Sequence, residues 1–373
     1  MDKNIKFLAY YLPAFHEIEE NNKWYGKGFT EWDNTKKAKP LYKKHYQPRI
    51  PWKYYDIADN SVVIEQMQMA KKYNVDGFVY YHYWFNEDGY KILEKPAEKM
   101  LLIDPEKRIE FCFAWANESW RKTWHDGIGE SELLIEQKYG TEKDWLNHFN
   151  YLLPFFNDEK YIKVNGYPML LIYKPENIPN YNRMTAFMNK QAVKNGFKGI
   201  HIVRMMTDRR AAKVKLKCDA FVNFEPSYTL SAGIDVIFKK VWRLKNFLYW
   251  KFSKFEWITK YFYNIINYNA FYKTIEERRC NKNNSKKQYY GVFKDWDNSP
   301  RKGKRGTIFE GVSPECFKYH LKKAYVQALT DDCGFIFCFA WNEWGEGGYL
   351  EPDKKFGYSY LEVIRDVSSE FRK

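Results

Sequence analysis

Eight short apolar runs, separated by stretches of helical periodicity, leave few folds open to this chain of 373 residues. The runs cover residues 5–12, 77–85, 109–116, 168–173, 199–205, 220–224, 289–293 and 334–340. Most are nearly continuous in apolar character rather than alternating, as parallel strands buried on both faces are. Helix-compatible segments at 61–73, 142–156, 184–195 and 314–329 lie between them. Eight alternations of this kind predict an α/β protein, a closed (β/α)8 TIM barrel. That fold takes about 250 residues. The surplus falls in a loop at 13–58 after strand one and a segment at 227–288 after strand six, so we expect one catalytic domain over 1–373 with 227–288 as an insertion.

A barrel of this type gathers its working groups at the C-terminal ends of its strands. Strand two ends in Tyr81, His82 and Trp84, strand three in Trp115, Asn117 and Glu118, and strand four in Tyr173. Strand five offers Arg204, strand six Glu225, and strand seven Trp296 and Asp297. Taken singly, Glu225 before Pro226 is equally a loop charge, and His82 equally a core histidine bonded to a carbonyl. Convergence on one barrel mouth is what makes them a candidate site. The loop after strand one adds Trp24, Glu31 and Trp32, which tight turns at Gly26 and Gly28 would hold over the mouth unless the loop only caps the rim.

The strongest signal follows strand eight, where Phe335-Ile336-Phe337-Cys338-Phe339-Ala340 runs into Trp341-Asn342-Glu343-Trp344-Gly345-Glu346-Gly347-Gly348. A helical turn at this point would put Glu343 and Glu346, three residues apart, on one face. Paired carboxylates suit sugar chemistry, because one can protonate a leaving oxygen while the other serves as base or nucleophile. Tryptophan faces such as that of Trp344 can pack on the C–H side of a pyranose, and Asn342 supplies a polar neighbour. The other reading is a surface turn with two solvated glutamates.

Lys and Arg exceed Asp and Glu by 14, which raises the question of nucleic acid. No zinc-finger spacing, RNP-type segment or Walker loop accompanies the charge, and nucleic acid is not an expected partner. Aromatic residues make up 20% of the chain, with 31 tyrosines, and such rings line sugar sites and membrane interfaces alike. From 236 to 273, Lys239, Lys240, Arg243 and Lys245 mix with Trp242, Trp250 and Trp257. That pattern fits either a helix resting on an anionic bilayer or a helical pair packed on the barrel flank, and 276–287 reads as an exposed loop. Six cysteines without a CxxC pair, an N-terminus leading straight into a strand, and no window of about 18 uncharged apolar residues point to a cytoplasmic protein, with peripheral contact at the inner membrane under the first alternative.

Several motifs together resemble one family. Leu8-Ala9-Tyr10-Tyr11-Leu12-Pro13-Ala14-Phe15-His16, Gly26-Lys27-Gly28-Phe29-Thr30-Glu31-Trp32, His45-Tyr46-Gln47-Pro48-Arg49, Tyr81-His82-Tyr83-Trp84-Phe85, Trp115-Ala116-Asn117-Glu118, Trp296-Asp297-Asn298 and Trp341-Asn342-Glu343-Trp344 resemble the WbsX-like proteins. These are bacterial polysaccharide-locus proteins with a domain like glycoside hydrolase family 99, the endo-α-mannosidase and endo-α-mannanase family. The resemblance covers nearly the whole chain and is weakest over 227–288.

The resemblance implies a retaining enzyme without metal or other cofactor, acting on an oligosaccharide or polysaccharide in O-antigen or capsule metabolism. Glu343 then looks like the base and Glu346 the general acid, with Glu118 beside the reacting sugar. The base of that family takes the proton of the sugar's own 2-hydroxyl, which attacks the anomeric carbon to give a 1,2-anhydro intermediate. Gly345 departs from the hydrolases, which tend to carry a larger side chain there, and this bears on the shape of the reacting subsite. A glycosyltransferase using an activated donor and a non-catalytic glycan-binding barrel are the alternatives. Against the first, no phosphate-binding glycine loop or Asp-x-Asp motif stands in a suitable strand-to-helix context.

Overall fold

All eight runs are strands of one closed parallel barrel in the computed structural model, which describes residues 4–85, 88–122, 132–208, 211, 213–233, 263–280 and 287–372. The strands are β1 (Lys6–Tyr11), β2 (Gly77–Trp84), β3 (Glu110–Trp115), β4 (Tyr167–Ile172), β5 (His201–Met206), β6 (Ala220–Asn223), β7 (Lys287–Phe293) and β8 (Phe335–Phe339). Each pairs in parallel with the next, and β8 closes on β1 with Lys6 opposite Phe335 and Ala9 opposite Cys338. No strand edge is left open around the ring, which removes the usual risk of edge-to-edge association.

The barrel is filled by rings. Tyr10 stacks on Tyr81 at 5.8 Å and meets Phe224 at 5.2 Å and Phe337 at 6.0 Å, so β1, β2, β8 and the residue after β6 share one interior layer. Much of the aromatic richness that the sequence offered to sugar sites or membranes is therefore core, with Trp115, Trp341, Tyr11, Tyr80, Tyr289 and Tyr325 also fully buried. Rings of this size each remove on the order of 150–250 Å² from water, so few aliphatic side chains are needed inside.

The four expected helices are present as Asn60–Lys72, Glu142–Asn157, Tyr181–Lys194 and Pro314–Thr330. Their starts follow local chemistry: Asp59 accepts from the Ser61 amide, Thr141 and Asp144 form a capping box, and Ser313 accepts from the Cys316 amide. The loop at 13–58 holds two further helices, Glu19–Tyr25 and Glu31–Lys37. The second begins at a Thr30–Asp33 capping box and delivers Glu31 to the mouth.

After β6 the described residues include the helix Ser227–Gly233 and then continue from Tyr263. Most of the basic aromatic stretch at 236–273 thus lies outside the described residues, but its end does not: Phe271 is buried against Phe293 and Phe309. The expected exposed loop at 276–287 needs correction, because 276–280 completes the helix Tyr268–Cys280, while 281–286 lies outside the described residues. Glu276 explains the difference, since its carboxylate accepts from His320 at 2.7 Å and Lys323 at 2.8 Å on the helix Pro314–Thr330. Among the described residues no helix is long and apolar enough to cross a membrane.

Candidate active site

A cavity of about 430 Å³ opens at the C-terminal ends of the strands. Its floor is a cluster of three carboxylates around one guanidinium. Arg301, on the short helix Ser299–Lys302 that follows β7, reaches Glu346 at 2.9 Å, Glu31 at 3.3 Å and Glu343 at 3.5 Å. Glu31 comes from the loop after β1 and the two others from the turn after β8, so three segments far apart in sequence meet on one cation.

The turn after β8 is a tight hairpin rather than the expected helical turn. Asn342 and Glu343 pair antiparallel with Tyr349 and Gly348, and a single 3-10 turn, Trp344–Glu346, lies between them. Residues three apart nearly eclipse in that geometry, so Glu343 and Glu346 still face the same cavity. The glycines make the hairpin possible. Gly347 sits at φ +68°, where a Cβ would come within 3.0 Å of the Asp297 nitrogen and the Arg49 guanidinium, and a Cβ on Gly348 would lie 2.3 Å from the Phe339 ring.

Neighbours fix the hairpin in place. Asn342 accepts from the Leu12 amide at 2.7 Å and donates to the Leu12 carbonyl at 3.0 Å, tying it to the end of β1. The Asp297 amide donates to the Glu346 carbonyl at 2.8 Å, and Arg49 donates to the Gly347 carbonyl at 3.3 Å. Asp297 in turn accepts from Gln47 at 2.6 Å and pairs with His45 at 2.8 Å. Burial pushes the Asp297 carboxyl up, but its bond with His45 and the Arg49 charge outweigh that and hold it down to about 2.

Electrostatics act strongly on Glu343. Glu343 is only 6% exposed, and burial first, then the charges of Glu346 and Glu31, raise it to about 8 against the pull of Arg301. Burial also raises Glu31, opposed by Arg301. Three carboxylates beside one cation in a dry site titrate as a group, and burial with the neighbouring charges holds Glu343 well above the usual carboxylate range.

The walls are aromatic and polar. Tyr81, Tyr83, Tyr173, Trp296 and Phe339 line the cavity, as do Tyr25, Phe29 and Trp120. Tyr25 stacks on Phe29 at 4.5 Å, and Tyr83 meets Trp120 edge-on at 5.0 Å. Glu118 enters from the loop after β3 and holds Lys174 at 2.5 Å. Of the residues expected at the mouth, Glu31, Tyr81, Glu118, Tyr173, Trp296, Glu343 and Glu346 line this cavity.

The remaining expected residues lie off it, each held by packing or hydrogen bonds. His82 and Trp84 point outward from β2: His82 shares a 2.9 Å bond with His148, and Trp84 stacks on His148 at 4.7 Å. Burial lowers His82 to about 3 and lowers His148 as well, so the pair is neutral and one ring donates to the other. Trp115 donates to the Trp84 carbonyl at 3.1 Å, and Asn117 brackets the Lys174 backbone, donating to its carbonyl at 2.7 Å and accepting from its amide at 2.8 Å. Arg204 caps the Val214 and Ala211 carbonyls, and Glu225 is held by Thr229 and Arg278. Asp297 and Asn342 serve the hairpin as described above. Trp344 stacks on Tyr349 at 3.6 Å, Trp32 donates to the Tyr55 carbonyl at 2.7 Å, and Trp24 packs behind Tyr25 and Trp120.

Arg301, at the centre of the carboxylate cluster, is a residue the sequence reading missed, and Tyr83 stands in the strand-two run that it did read toward the mouth. Tyr83 was available from strand alternation, since a side chain two positions after the inward Tyr81 faces the same way. Arg301 lies three residues beyond Asn298, on the short helix Ser299–Lys302 at the strand's C-terminal side, the end this fold uses for function, and no motif marks it.

Comparison with known proteins places this site in context. A family model described as "Glycosyltransferase WbsX" matches residues 7–364. A Xanthomonas campestris pv. campestris protein described as "Uncharacterized protein WxcX" is 31% identical over 365 residues, covering 96% of this chain and 49% of that protein, and a second strain's copy matches equally. The chain spans about half the length of the curated relatives it matches. Among solved structures, one described as "Glycoside hydrolase-like protein" superposes with a TM-score of 0.58 at 12% identity, covering 98% of this chain and 94% of that one. The GH99 endo-alpha-mannosidase from Bacteroides thetaiotaomicron superposes with a TM-score of 0.56 at 14% identity, covering 100% and 98%. At these identities the likeness is one of fold.

Proposed function

The chain belongs to the family described as glycosyltransferase WbsX, and from that premise we propose that its barrel mouth is the active site of a carbohydrate-active enzyme of bacterial surface-polysaccharide metabolism. It cleaves or transfers an α-linked, mannose-configured sugar with retention, using Glu343 and Glu346. The observation that carries the reading is the carboxylate cluster: Glu343 and Glu346 face one aromatic-walled cavity and share Arg301. A sugar ring seated against Tyr81, Tyr173 or Trp296 would present its anomeric centre to both acids.

In this reading Glu343 takes the proton of the 2-hydroxyl as that oxygen attacks the anomeric carbon, and Glu346 delivers a proton to the departing oxygen. Water or an acceptor sugar then opens the 1,2-anhydro ring. A value of about 8 makes Glu343 a stronger base than an ordinary carboxylate once ionised, and a base works best with its pKa near the working pH. Arg301 holds the negative charge between the two acids and limits how far Glu343 is raised.

The contacts of Arg301 favour a neutral glycoside over a nucleotide-sugar donor. Four acids line the cavity, Glu31, Glu118, Glu343 and Glu346, against Arg121, Arg301 and Lys302 among the described residues. Arg301 is already committed to three of those acids, so a diphosphate would meet carboxylates where it needs cations. Transfer, where it occurs, then proceeds from a glycoside.

The pH dependence of kcat/KM on an α-mannoside tests the assignment. Read on Glu346→Gln with an activated α-mannoside, whose leaving group needs no protonation, the rate rises with pH and levels off as Glu343 ionises, at about 8 in the wild-type site, because only the ionised base reacts. A rate that instead falls above about 8 would make Glu343 the acid, and a flat profile from pH 6 to 9.5 would remove it from the reaction.

A further inference from the structure

Glu351 lies eight residues beyond Glu343, does not line the cavity, and is 7% exposed. Its carboxylate accepts four hydrogen bonds. Oε1 takes Gln66 Nε2 at 2.7 Å and Trp341 Nε1 at 3.1 Å, and Oε2 takes the Tyr55 hydroxyl at 2.7 Å and Trp344 Nε1 at 2.7 Å. Gln66 is oriented in turn by the Tyr11 hydroxyl, which donates to its Oε1 at 2.7 Å. No ion pair reaches Glu351 among the described residues. A buried carboxylate without a cation is costly, and here four neutral donors supply the compensation.

These donors have a direction. Two come from the frame, Tyr55 in the loop after β1 and Gln66 on the helix Asn60–Lys72. The other two are Trp341 and Trp344, which bracket Asn342 and Glu343. Trp344 is also the first residue of the 3-10 turn that ends at Glu346. The carboxylate therefore couples the frame of the barrel to the turn that carries both acids, from the side away from the substrate. We infer that Glu351 is a positioning residue, fixing Glu343 and Glu346 through the indole groups of Trp341 and Trp344. This rests on the function proposed above for those acids.

A glutamine at this position keeps the shape but presents an amide N–H₂ where one oxygen accepted, so an indole N–H that can only donate loses its acceptor. Holding reacting groups in register matters steeply, since a displacement of about 1 Å can cost on the order of 100-fold. Burial raises Glu351 to about 7 against the pull of its four donors, and the groups around it that titrate, Tyr55 and Tyr11, stay neutral in that range. Acidification through that value would weaken the same clamp in the wild-type protein.

The test compares wild type with Glu351→Gln and with the milder Trp344→Phe, which keeps a ring on Tyr349 and deletes one donor. Steady-state kinetics on an α-mannoside are read together with hydrogen exchange of the amides at 342–348. For Glu351→Gln we expect kcat lowered by roughly 10- to 100-fold with KM within about threefold, and faster exchange confined to that turn. Trp344→Phe should follow in the same direction by roughly 3- to 10-fold, and it decides the question if the first variant does not fold. An unchanged kcat, a rise in KM at constant kcat, or unchanged exchange at 342–348 would each overturn the inference. Failure of the wild type to turn over any α-mannoside counts against the proposed function instead, and exchange at 342–348 alone then decides whether Glu351 holds the turn.

Discussion

Glu343→Gln and Glu346→Gln are each expected to lower turnover of an α-mannoside by at least ~100-fold, the scale of a lost acid or base. The two variants should differ in character. Glu346→Gln is expected to be spared in part on substrates with a good leaving group, because such a group departs with little protonation. Glu343→Gln has no such relief, since the 2-hydroxyl still needs a base. Stability moves the other way. The Glu343 carboxyl stands at about 8 in the fold against an ordinary 4.5, so its contribution is fully present below 4.5 and lost as pH rises through 8. Glutamine mimics the protonated form, and at pH 9 Glu343→Gln should raise Tm by about 2–4 °C, with little change at pH 5. Near-wild-type turnover in either variant would remove the pair from the chemistry.

The second large effect concerns the substrate. Attack by a ring hydroxyl on the anomeric carbon requires the 2-oxygen to be free and trans to the leaving group, as it is in an α-mannoside. Such an intramolecular nucleophile is worth effective molarities on the order of 10⁵ M or more. Removing or methylating the 2-oxygen is therefore expected to abolish turnover, a loss of at least ~1000-fold, while binding survives on the aromatic walls. A carboxylate nucleophile would behave differently: it would tolerate the missing hydroxyl to a degree and accumulate a covalent adduct with a 2-fluoro sugar. Intact-mass detection of such an adduct on Glu343 or Glu346 would rule out attack by the 2-hydroxyl.

The barrel could be read from the sequence because β strands buried on both faces leave continuous apolar runs, and each of the eight is a strand. The site was harder to read, for a reason built into strands. Successive side chains point to opposite faces, so a strand end rich in large residues contributes only half of them to the mouth. At Tyr81-His82-Tyr83-Trp84 the two tyrosines line the cavity, while His82 and Trp84 pack against His148 on the helix behind. At Trp115-Ala116-Asn117-Glu118 only Ala116 and Glu118 reach the cavity.

The carboxylates stood out because two acids among glycines and tryptophans are rare at a strand end. Arg301 did not, because its importance lies in contacts across 42 and 45 residues of sequence to Glu343 and Glu346, and across 270 to Glu31. Glu351 is similar. It reads as an ordinary acid before Pro352, and only the fold brings Tyr55 and Gln66 to it.

The central claim is that Glu343 and Glu346 act on a neutral glycoside, and one side-by-side incubation tests it most directly. Wild type and Glu343→Gln are each given an α-mannoside and a nucleotide-linked mannose, with proton NMR following the anomeric signals. Under this account the wild type consumes the α-mannoside, the first-formed product is the α anomer, the nucleotide sugar persists, and the variant does neither reaction. Release of nucleoside diphosphate from the nucleotide sugar, with the α-mannoside left intact, would contradict it.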